Sequence, residues 1–216
     1  MATASSTSST RISARRRATI EEALDHAEEI LARDGAGAVT IAEIARRMDI
    51  RPPSLYKYFA SLHAVYDALF ARGNARLSAY VDLALGDRTA GLQRLLEQCR
   101  AIARWSMLNQ GLAPLLFWRP IPGFQPSAES FELATELVAR AREDLQAAVR
   151  NRELVESADS DDTLRLLTSL IAGICSQQLA NQPGVSYEDG LFTSLTDRVL
   201  TMFVHEHAPP PRKAGR

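Results

Sequence analysis

The amino-acid sequence predicts an all-α fold, because apolar residues recur three and four positions apart along most of its 216 residues. No segment shows the strict alternation of apolar and polar residues that marks a half-buried strand. Hydrophobic residues make up 46% of the chain, enough for a sizeable core, but no run of about 18 apolar residues suggests a membrane span. No apolar signal region follows the polar N-terminus, so we expect a cytoplasmic protein. The isolated Cys99 and Cys175 should be reduced, buried thiols.

The first helix is expected to follow a disordered arm at residues 1–15. Residues 1–10 are polar and of low complexity, so they bury too little apolar surface to offset the entropy lost on ordering. Thr19 and Glu22 have the spacing of a capping box, which predicts a helix start after Thr19. Gly35 should end this helix, since glycine is favoured just past a helix C-terminus.

Residues 39–59 predict two short helices joined by a tight turn. Thr40 and Glu43 form a capping box, so the first short helix should begin at Ile41. Asp49 then breaks the apolar pattern. A short polar side chain tolerates the left-handed conformation of such a turn better than most other non-glycine residues.

The second short helix is expected to begin at Pro52 and Pro53. Proline lacks the N–H group that a first helical turn leaves unpaired, and its fixed φ suits entry into a helix. Leu55 and Phe59, four residues apart, should point inward and leave the opposite side free for a partner. Two short helices of this kind are typical of a helix-turn-helix, whose second helix enters a DNA major groove.

The distribution of charge supports a nucleic-acid partner, although the net charge is only −1. Four arginines precede the first helix with no acidic residue among them: Arg11, Arg15, Arg16 and Arg17. Between residues 44 and 60, four basic residues face only Asp49: Arg46, Arg47, Arg51 and Lys57. Beside a helix-turn-helix, these charges are better explained by phosphate contacts than by a merely solvated face.

The same region resembles the DNA-binding domain of TetR-family transcriptional regulators. The resemblance runs without a gap from about Arg17 to Leu69 and is carried by Ile20, Ala23, Gly35 and the sequences VTIAEIA and SLYKYF. It implies a helix-turn-helix domain at residues 16–76, with the motif itself at 40–59. After it, the family has a helical ligand-binding and dimerisation domain, expected here at residues 77–207.

Two positions depart from the family pattern. Asp49 stands where family members usually carry glycine. Ser61, Leu62 and His63 stand where a serine-lysine-acidic run is usual. That lysine often touches a DNA phosphate, so the contact is in doubt here, and His63 would replace it only weakly.

The resemblance implies a set of DNA contacts around the helix-turn-helix: Arg17, Thr40, Arg51, Pro52, Pro53, Ser54, Tyr56, Lys57, Tyr58 and His63. Hydroxyl and ammonium groups would bond phosphates, whereas Arg51 could pair bidentately with a guanine edge. Two alternatives stay open. Tyr56 and Tyr58 could instead pack against neighbouring helices, and the arginines before the first helix could be disordered.

The remaining helices follow from apolar periodicity and capping signals. Ser61 should cap a fourth helix ending near Gly86, and Ser186 with Asp189 should cap the last one. The further helices are expected at residues 89–110, 112–118, 127–155, 161–181 and 187–206. Residues 119–126 contain three prolines and Gly123 and cannot sustain a helix. Residues 208–216 should form a flexible tail.

A homodimer is expected on mechanical grounds. Two helix-turn-helix heads must be centred about 34–36 Å apart to reach successive major grooves of a palindromic operator. In the family resembled, the last two helices form a four-helix interface with the symmetry mate. The interface residues expected are Leu167, Ile171, Ile174, Leu195, Val199 and Met202. The alternative is that both apolar stripes close the core of the monomer.

Aromatic side chains around the proline-rich segment suggest a pocket for a small apolar or aromatic effector. The sequence LAPLLFWRPIPGFQPS also resembles one C-terminal subfamily in which this region covers a cavity. The candidate contacts are Trp105, Phe117, Trp118, Phe124 and Gln178. For each of them, ordinary core packing is the alternative.

The sequence therefore predicts a ligand-responsive repressor that binds double-stranded operator DNA. One alternative is a helical DNA-binding regulator controlled by a protein partner, with no small-molecule effector. Another is an interaction module that has lost DNA binding. The four histidines form no metal-ligand array, and there is no glycine-rich phosphate cradle, so we expect neither catalysis nor a bound metal or cofactor.

Overall fold

A computed structural model describes residues 4–210, with side chains described from Ser13 onward. Within this part of the chain the regular structure is helical and no strand occurs, which confirms the predicted all-α class. The α-helices are α1 (Ala4–Asp34), α2 (Ile41–Arg47), α3 (Pro52–Leu55), α4 (Leu62–Leu85), α5 (Leu92–Leu108), α6 (Leu112–Phe117), α7 (Ala128–Arg150), α8 (Asp161–Asn181) and α9 (Thr196–Glu206). None of these helices combines the length and the apolar character needed to cross a membrane.

The chain divides into two compact units, and the division falls within α4. The first unit contains the residues up to Gly73 together with Gly111–Phe131. The second contains Asn74–Gln110 and the residues from Glu132 onward. The division in α4 lies close to the predicted domain boundary at residue 76. Residues 111–131, which we expected in the second domain, group with the first unit instead.

α1 is much longer than the sequence predicted. It begins at Ala4 rather than after Thr19, so the arm expected to be disordered at residues 1–15 is helical over its described part. The Thr19 hydroxyl donates to the Arg15 carbonyl at 3.1 Å, a bond that threonine commonly makes inside a helix, so it does not cap a helix start. Extension of an existing helix adds one hydrogen bond per residue fixed and needs no new nucleus.

The core of the first unit is formed by the inward faces of α1 to α4. Leu55 is fully buried and Phe59 is 5% exposed, which confirms the inward direction predicted for both. α6 packs closely against α1 at Gly111, where an added Cβ would lie 2.7 Å from the Ala32 Cα. A side chain at residue 111 would therefore force one of the two helices to move.

The segment between α6 and α7 lies along one face of α4. The Phe124 ring packs 6.0 Å from the His63 ring and 5.9 Å from the Tyr66 ring, measured between centroids. One and two turns further along α4, Asp67 bonds the start of α7, and Phe70 stacks on Phe131 at 6.0 Å. The stretch that cannot be helical thus closes the apolar face of the first half of α4.

In the second unit, α5 packs against α8, and α9 packs against α8. Cys99 on α5 and Cys175 on α8 are buried and free, as expected. Burial disfavours the thiolate and raises the pKa of Cys99 to about 12 and that of Cys175 to about 11. Both thiols therefore behave as small apolar core groups.

The last helix begins later than predicted, at Thr196 rather than near residue 187. Ser186 and Asp189 do contact each other: the Asp189 N–H donates to the Ser186 hydroxyl oxygen at 3.2 Å, and the Ser186 hydroxyl donates to the Asp189 carboxylate at 2.8 Å. They close an isolated turn instead of a helix, because the Gln178 side chain occupies the N–H groups of Phe192 and Thr193.

Candidate nucleic-acid interface

α2 begins as the capping box predicts. The Thr40 hydroxyl oxygen accepts a hydrogen bond from the Glu43 N–H at 3.1 Å, and α2 starts at Ile41. Thr40 is exposed, and its hydroxyl proton remains free to donate. A phosphate oxygen at the start of α2 is an acceptor that this geometry suits.

The turn after α2 has the left-handed residue that the sequence predicted. Asp49 has φ 53°, and the Ile50 N–H bonds back to the Ala45 carbonyl at 3.0 Å. This arrangement closes the end of α2 and redirects the chain into α3. The position favours glycine, so Asp49 holds a conformation that costs an ordinary residue about 1 kcal/mol.

α3 is a single turn, Pro52–Leu55, followed by a non-helical turn over residues 56–58. Its first two positions are prolines, as predicted, and Arg51 precedes them in an extended conformation. The Phe59 N–H still bonds the Leu55 carbonyl at 2.9 Å, so the helical path continues approximately to the end of the motif. The exposed side chains among residues 51–58 form the surface of this part of the motif.

Most of the predicted DNA contacts lie on that surface, and the two tyrosines differ in exposure. Exposed side chains include Arg51, both prolines and Lys57. Tyr56 is 56% exposed, so it does not pack into neighbouring helices. Tyr58 is half-buried, with the Arg16 guanidinium above its ring.

The count of free positive charge from the sequence needs correction. Glu43, just outside the stretch counted, bonds Arg46 at 2.7 Å and Arg47 at 3.0 Å, and Arg47 also bonds Glu29 at 3.3 Å. The two arginine hydrogen bonds lower the pKa of Glu43 to about 2. Arg46 and Arg47 therefore belong to a charge network within the protein.

The free cations of the helix-turn-helix are consequently Arg51 and Lys57. Neither side chain has an ion-pair partner in the described part of the chain. Arg51 stands at the entry of α3 and Lys57 just after its end. The guanidinium and the ammonium thus flank the single helical turn.

α1 continues through the arginines that precede the predicted helix start, so Arg15, Arg16 and Arg17 lie on a helix. Arg17 is exposed, in agreement with its predicted availability to DNA. Arg16 has a role that the sequence reasoning missed: its Nη1 donates to the Lys57 carbonyl at 3.0 Å. The signal was present in the spacing of Arg16, Ile20 and Ala23, which places Arg16 on the helix face that packs inward.

His63 lies on the first turn of α4 and is exposed. Its ring meets Phe124 edge-on at 6.0 Å, so the imidazole is oriented by an apolar contact. Ser61 accepts from the Ala64 N–H at 3.2 Å and so forms the predicted cap of α4. The start of α4 therefore presents an imidazole next to Leu62, the position at which the family resembled usually carries a lysine.

The residues predicted to contact an effector fall in different units. In the first, Phe117 and Trp118 are half-buried and meet edge to face at 5.8 Å, and Phe124 is 6% exposed. In the second, Trp105 is 2% exposed and Gln178 is fully buried. Packing thus accounts for the burial of these side chains, and their contact with an effector stays a prediction.

Gln178 has a structural task that the sequence did not reveal. Its Oε1 accepts from the Phe192 N–H at 3.0 Å and the Thr193 N–H at 3.4 Å, while its Nε2 donates to the Gln182 carbonyl at 3.3 Å. The side-chain amide thereby holds the connection between α8 and α9. A groove of about 240 Å³ also lies between α5 and α9, but its lining includes none of the predicted effector contacts.

The apolar stripes of α8 and α9 divide between core and surface. Three of the predicted interface residues are buried within the monomer, at 1%, 4% and 9% exposure: Leu167, Ile171 and Ile174. Of the α9 candidates and the residues preceding that helix, Leu195 is 42% exposed, Met202 is 63% exposed and Val199 is half-buried. On α8 the exposed apolar residue is Leu166, at 46%. The α8 side of any interface must therefore use a different face from the one predicted.

Among the described residues, no group of three or more histidine, cysteine, aspartate or glutamate side chains is arranged to hold a metal ion. The features that stand out are instead a capped helix, a left-handed turn and a short second helix flanked by unpaired cations. In an all-α chain, they define a helix-turn-helix DNA-binding protein.

Comparison with known proteins specifies the class. Residues 23–69 match the family model for bacterial regulatory proteins of the tetR family. The helix-turn-helix domain of the chain is therefore of the type found in TetR-family transcriptional regulators.

The matching relatives and structures are distant. The chain is 30% identical over 88 residues to the uncharacterized HTH-type transcriptional regulator YobS of Bacillus subtilis, a match that covers 41% of this chain and 46% of that protein. It is 24% identical over 165 residues to the nucleoid occlusion factor SlmA of Edwardsiella ictaluri, covering 76% and 81% respectively. The transcriptional regulator FadR of Bacillus subtilis, solved with stearoyl-CoA, has the same fold with a TM-score of 0.66 at 15% identity, over 85% of this chain and 97% of FadR.

Proposed function

We propose that this protein is a ligand-responsive repressor that binds a palindromic operator as a homodimer. The observation that carries the proposal is the exposed surface of residues 51–58, on which Arg51 and Lys57 are free of ion pairs. The guanidinium of Arg51 can reach a guanine edge, whereas Lys57 and the Tyr56 hydroxyl can bond phosphates. Thr40 adds a donor at the start of α2. A DNA-binding regulator acts where the chromosome lies, so a cytoplasmic location is part of the proposal.

The homodimer is supported by apolar side chains that the monomer leaves exposed at its C-terminal end. Leu166, Leu195 and Met202 are large exposed apolar residues on or next to α8 and α9. We propose that they form part of one apolar surface, a feature that commonly marks an interaction site. An added Cβ at Gly173 would have no neighbour within 4 Å, so the backbone of α8 is open to close approach there. We place Leu166, rather than Leu167, Ile171 and Ile174, at the α8 side of the interface, and Leu195 and Met202 at the α9 side.

Ligand response is supported by the position of residues 111–131 and by the similar fold of a ligand-bound protein. FadR of Bacillus subtilis was solved with stearoyl-CoA, and this chain shares its fold. We propose a small apolar or aromatic effector that wedges between the middle helices and tilts α4. Because Phe124 and Phe131 pack on α4, movement of their segment would move that helix. A coupling of about 1–3 kcal/mol would change operator affinity by about 5–150-fold.

Recovery of genomic DNA fragments bound by the purified protein tests the DNA-binding part directly. We expect fragments that share an inverted repeat, with half-sites about one helical turn apart. Fragments without any common sequence would contradict operator recognition. The same experiment identifies the controlled genes, and transcription from them in cells with and without the protein distinguishes repression from activation.

Titration of candidate effectors into the complex with a recovered operator tests the response. An acyl-CoA such as stearoyl-CoA, a free fatty acid and an aromatic acid form a first panel. Binding is followed independently by thermal stabilisation of the protein, since a ligand of the folded state raises its melting temperature. A compound that stabilises the protein but leaves operator occupancy unchanged would contradict the proposed coupling.

A further inference from the structure

The surface proposed to read DNA depends on its neighbours for its position. It consists of the one turn of α3 and the turn after it, residues 52–58. A single helical turn is unstable alone, because nucleation fixes several residues for one hydrogen bond. Leu55 and Phe59 fix its inner side in the apolar core. None of residues 56–58, at its outer end, is buried.

Arg16 supplies a connection at that outer end. Its Nη1 donates to the Lys57 carbonyl at 3.0 Å, across 41 positions of sequence. Its guanidinium carbon also lies 5.2 Å from the centroid of the Tyr58 ring, a distance at which a cation is attracted to the ring face. Carbonyl groups at the end of a helix lack partners within it, and arginine is a suitable donor to them. One side chain on α1 therefore holds two consecutive residues of the reading surface.

The two neighbouring arginines differ from Arg16. Arg15 and Arg17 are exposed, and the guanidinium of neither has a hydrogen bond or ion pair with the described part of the chain. Successive residues of a helix point about 100° apart, so only one of three consecutive arginines can face α3. Arg17 and Arg16 thus carry the same charge in different surroundings.

We infer that Arg16 is a positioning residue for sequence reading, and this inference rests on the proposed operator binding. It orients the Lys57 backbone and the Tyr58 ring, while its own charge is held by protein groups and not by phosphate. Loss of Arg16 should therefore reduce discrimination between DNA sequences. Loss of a phosphate contact should instead weaken binding to all sequences and release fewer counterions.

The test compares Arg16→Ala with Arg17→Ala on two duplexes, one selected by the wild-type protein from a random pool and one with the same bases scrambled. Dissociation constants are measured over a series of salt concentrations. The ratio of the dissociation constant for the scrambled duplex to that for the selected duplex measures discrimination. We expect Arg16→Ala to lower this ratio about tenfold, which is the effect expected from the loss of a charge-assisted hydrogen bond. The dependence of the dissociation constants on salt concentration should stay unchanged. Arg17→Ala should weaken binding to both duplexes equally and reduce the slope of the salt dependence by about 1.

Two further variants separate positioning from folding. Arg16→Lys retains a donor for the carbonyl but lacks the planar group over the ring, so it should recover part of the discrimination. In a double-mutant cycle, Arg16→Ala and Tyr58→Leu should together cost less than the sum of the two single losses. Melting temperatures of the Arg16→Ala and Arg16→Lys variants should stay close to that of the wild type, because Arg16 is exposed.

The inference about Arg16 would be overturned, with the proposed function left standing, by an Arg16→Ala protein that discriminates between the duplexes as well as the wild type does. It would also be overturned if Arg16→Ala showed the uniform loss of affinity and the reduced salt slope expected of Arg17→Ala. Additive losses in the double-mutant cycle would also overturn it. A wild-type protein that selects no duplex would overturn the proposed function, and this inference with it.

Discussion

Lys57 combines a hydrogen-bonded backbone carbonyl with an exposed ammonium group. Its carbonyl is held by Arg16, whereas its ammonium group is exposed and has no ion-pair partner in the described part of the chain. The backbone is therefore fixed while the charge remains available. That combination suits a phosphate contact, which needs a donor held in register.

Replacement of Lys57 by alanine should weaken DNA binding without unfolding the protein. We expect roughly a three- to tenfold loss of affinity at low salt and a salt slope smaller by about 1, since one phosphate contact is removed. Fluorescence anisotropy with a labelled operator measures both. Arg33→Ala is a matched control, because Arg33 is also exposed but bonds Asp34 at 2.6 Å. An unchanged affinity would remove Lys57 from the proposed contacts.

Asp49 places a negative charge and a left-handed conformation in the turn before the reading surface. Asp49→Asn keeps the tolerance for this conformation and removes the charge, so it should raise DNA affinity at low salt with little change in stability. Asp49→Val should lower the free energy of unfolding by about 1–2 kcal/mol, because a β-branched residue disfavours positive φ. Chemical denaturation and anisotropy measure the two effects. Equal affinities of the Asn variant and the wild type would show that DNA does not sense this charge.

At the scale of helices, the start of α7 is held by a carboxylate from α4. Asp67 accepts hydrogen bonds from the Ser127 N–H at 2.7 Å and from the hydroxyls of Ser127 and Ser130 at 2.9 Å each. The Ser127 hydroxyl in turn accepts from the Ser130 N–H at 3.1 Å. A negative charge at a helix N-terminus also interacts favourably with the helix dipole.

Asp67→Ala should therefore lower the free energy of unfolding by about 1–3 kcal/mol, because it leaves several donors without a partner. Urea denaturation followed by circular dichroism measures the change. Glu129→Ala removes another carboxylate from the first turn of α7, but an exposed one, and should cost less than about 0.5 kcal/mol. If both variants lost the same free energy of unfolding, Asp67 would act only through its negative charge near the helix end and not through its hydrogen bonds.

The elements that could be predicted from sequence are those specified by neighbouring residues. The capping box at Thr40, the turn at Asp49 and the prolines of α3 act within four positions, so their residue types predict their geometry. The contact of Arg16 with Lys57 spans 41 positions, and only the fold brings the two together. The late start of α9 has the same origin, since the distant Gln178 occupies the N–H groups that a helix would use.

Faces of helices were harder to predict than the helices themselves. Leu166 and Leu167 are adjacent and equally apolar, yet the first is 46% exposed and the second 1%. Periodicity identifies α8 but does not say which of two apolar faces meets α5 and which is left for a partner. That choice depends on the packing of the whole unit.

At the scale of the whole molecule, the proposed dimer places the exposed face of α8 and α9 against its own copy. Leu166→Glu and Met202→Glu together should leave the monomer folded and shift the protein from dimer to monomer, because two charges would be buried at the interface. Light scattering after size-exclusion chromatography measures the mass. Leu83→Glu, at a side chain that is 83% exposed on α4, should leave the dimer intact.

A protein that remains dimeric with both Leu166→Glu and Met202→Glu would contradict this placement of the interface. So would a dimer that dissociates with Leu83→Glu instead. Loss of operator binding should accompany dissociation, since a single head reaches only one half-site. A monomeric variant that keeps its operator affinity would show that operator binding does not require the homodimer.

Gly173 lies within the continuous helix α8, where alanine would favour the helix by roughly 1 kcal/mol, and no atom in the monomer lies within 4 Å of the position that an added methyl group would take. Gly173→Ala should consequently act with opposite signs on the two equilibria of the chain. The free energy of unfolding of the isolated subunit should rise, and the dissociation constant of the dimer should also rise, so that the dimer is weakened. Selection for self-association and selection for stability of the subunit would then favour different residues at this one position.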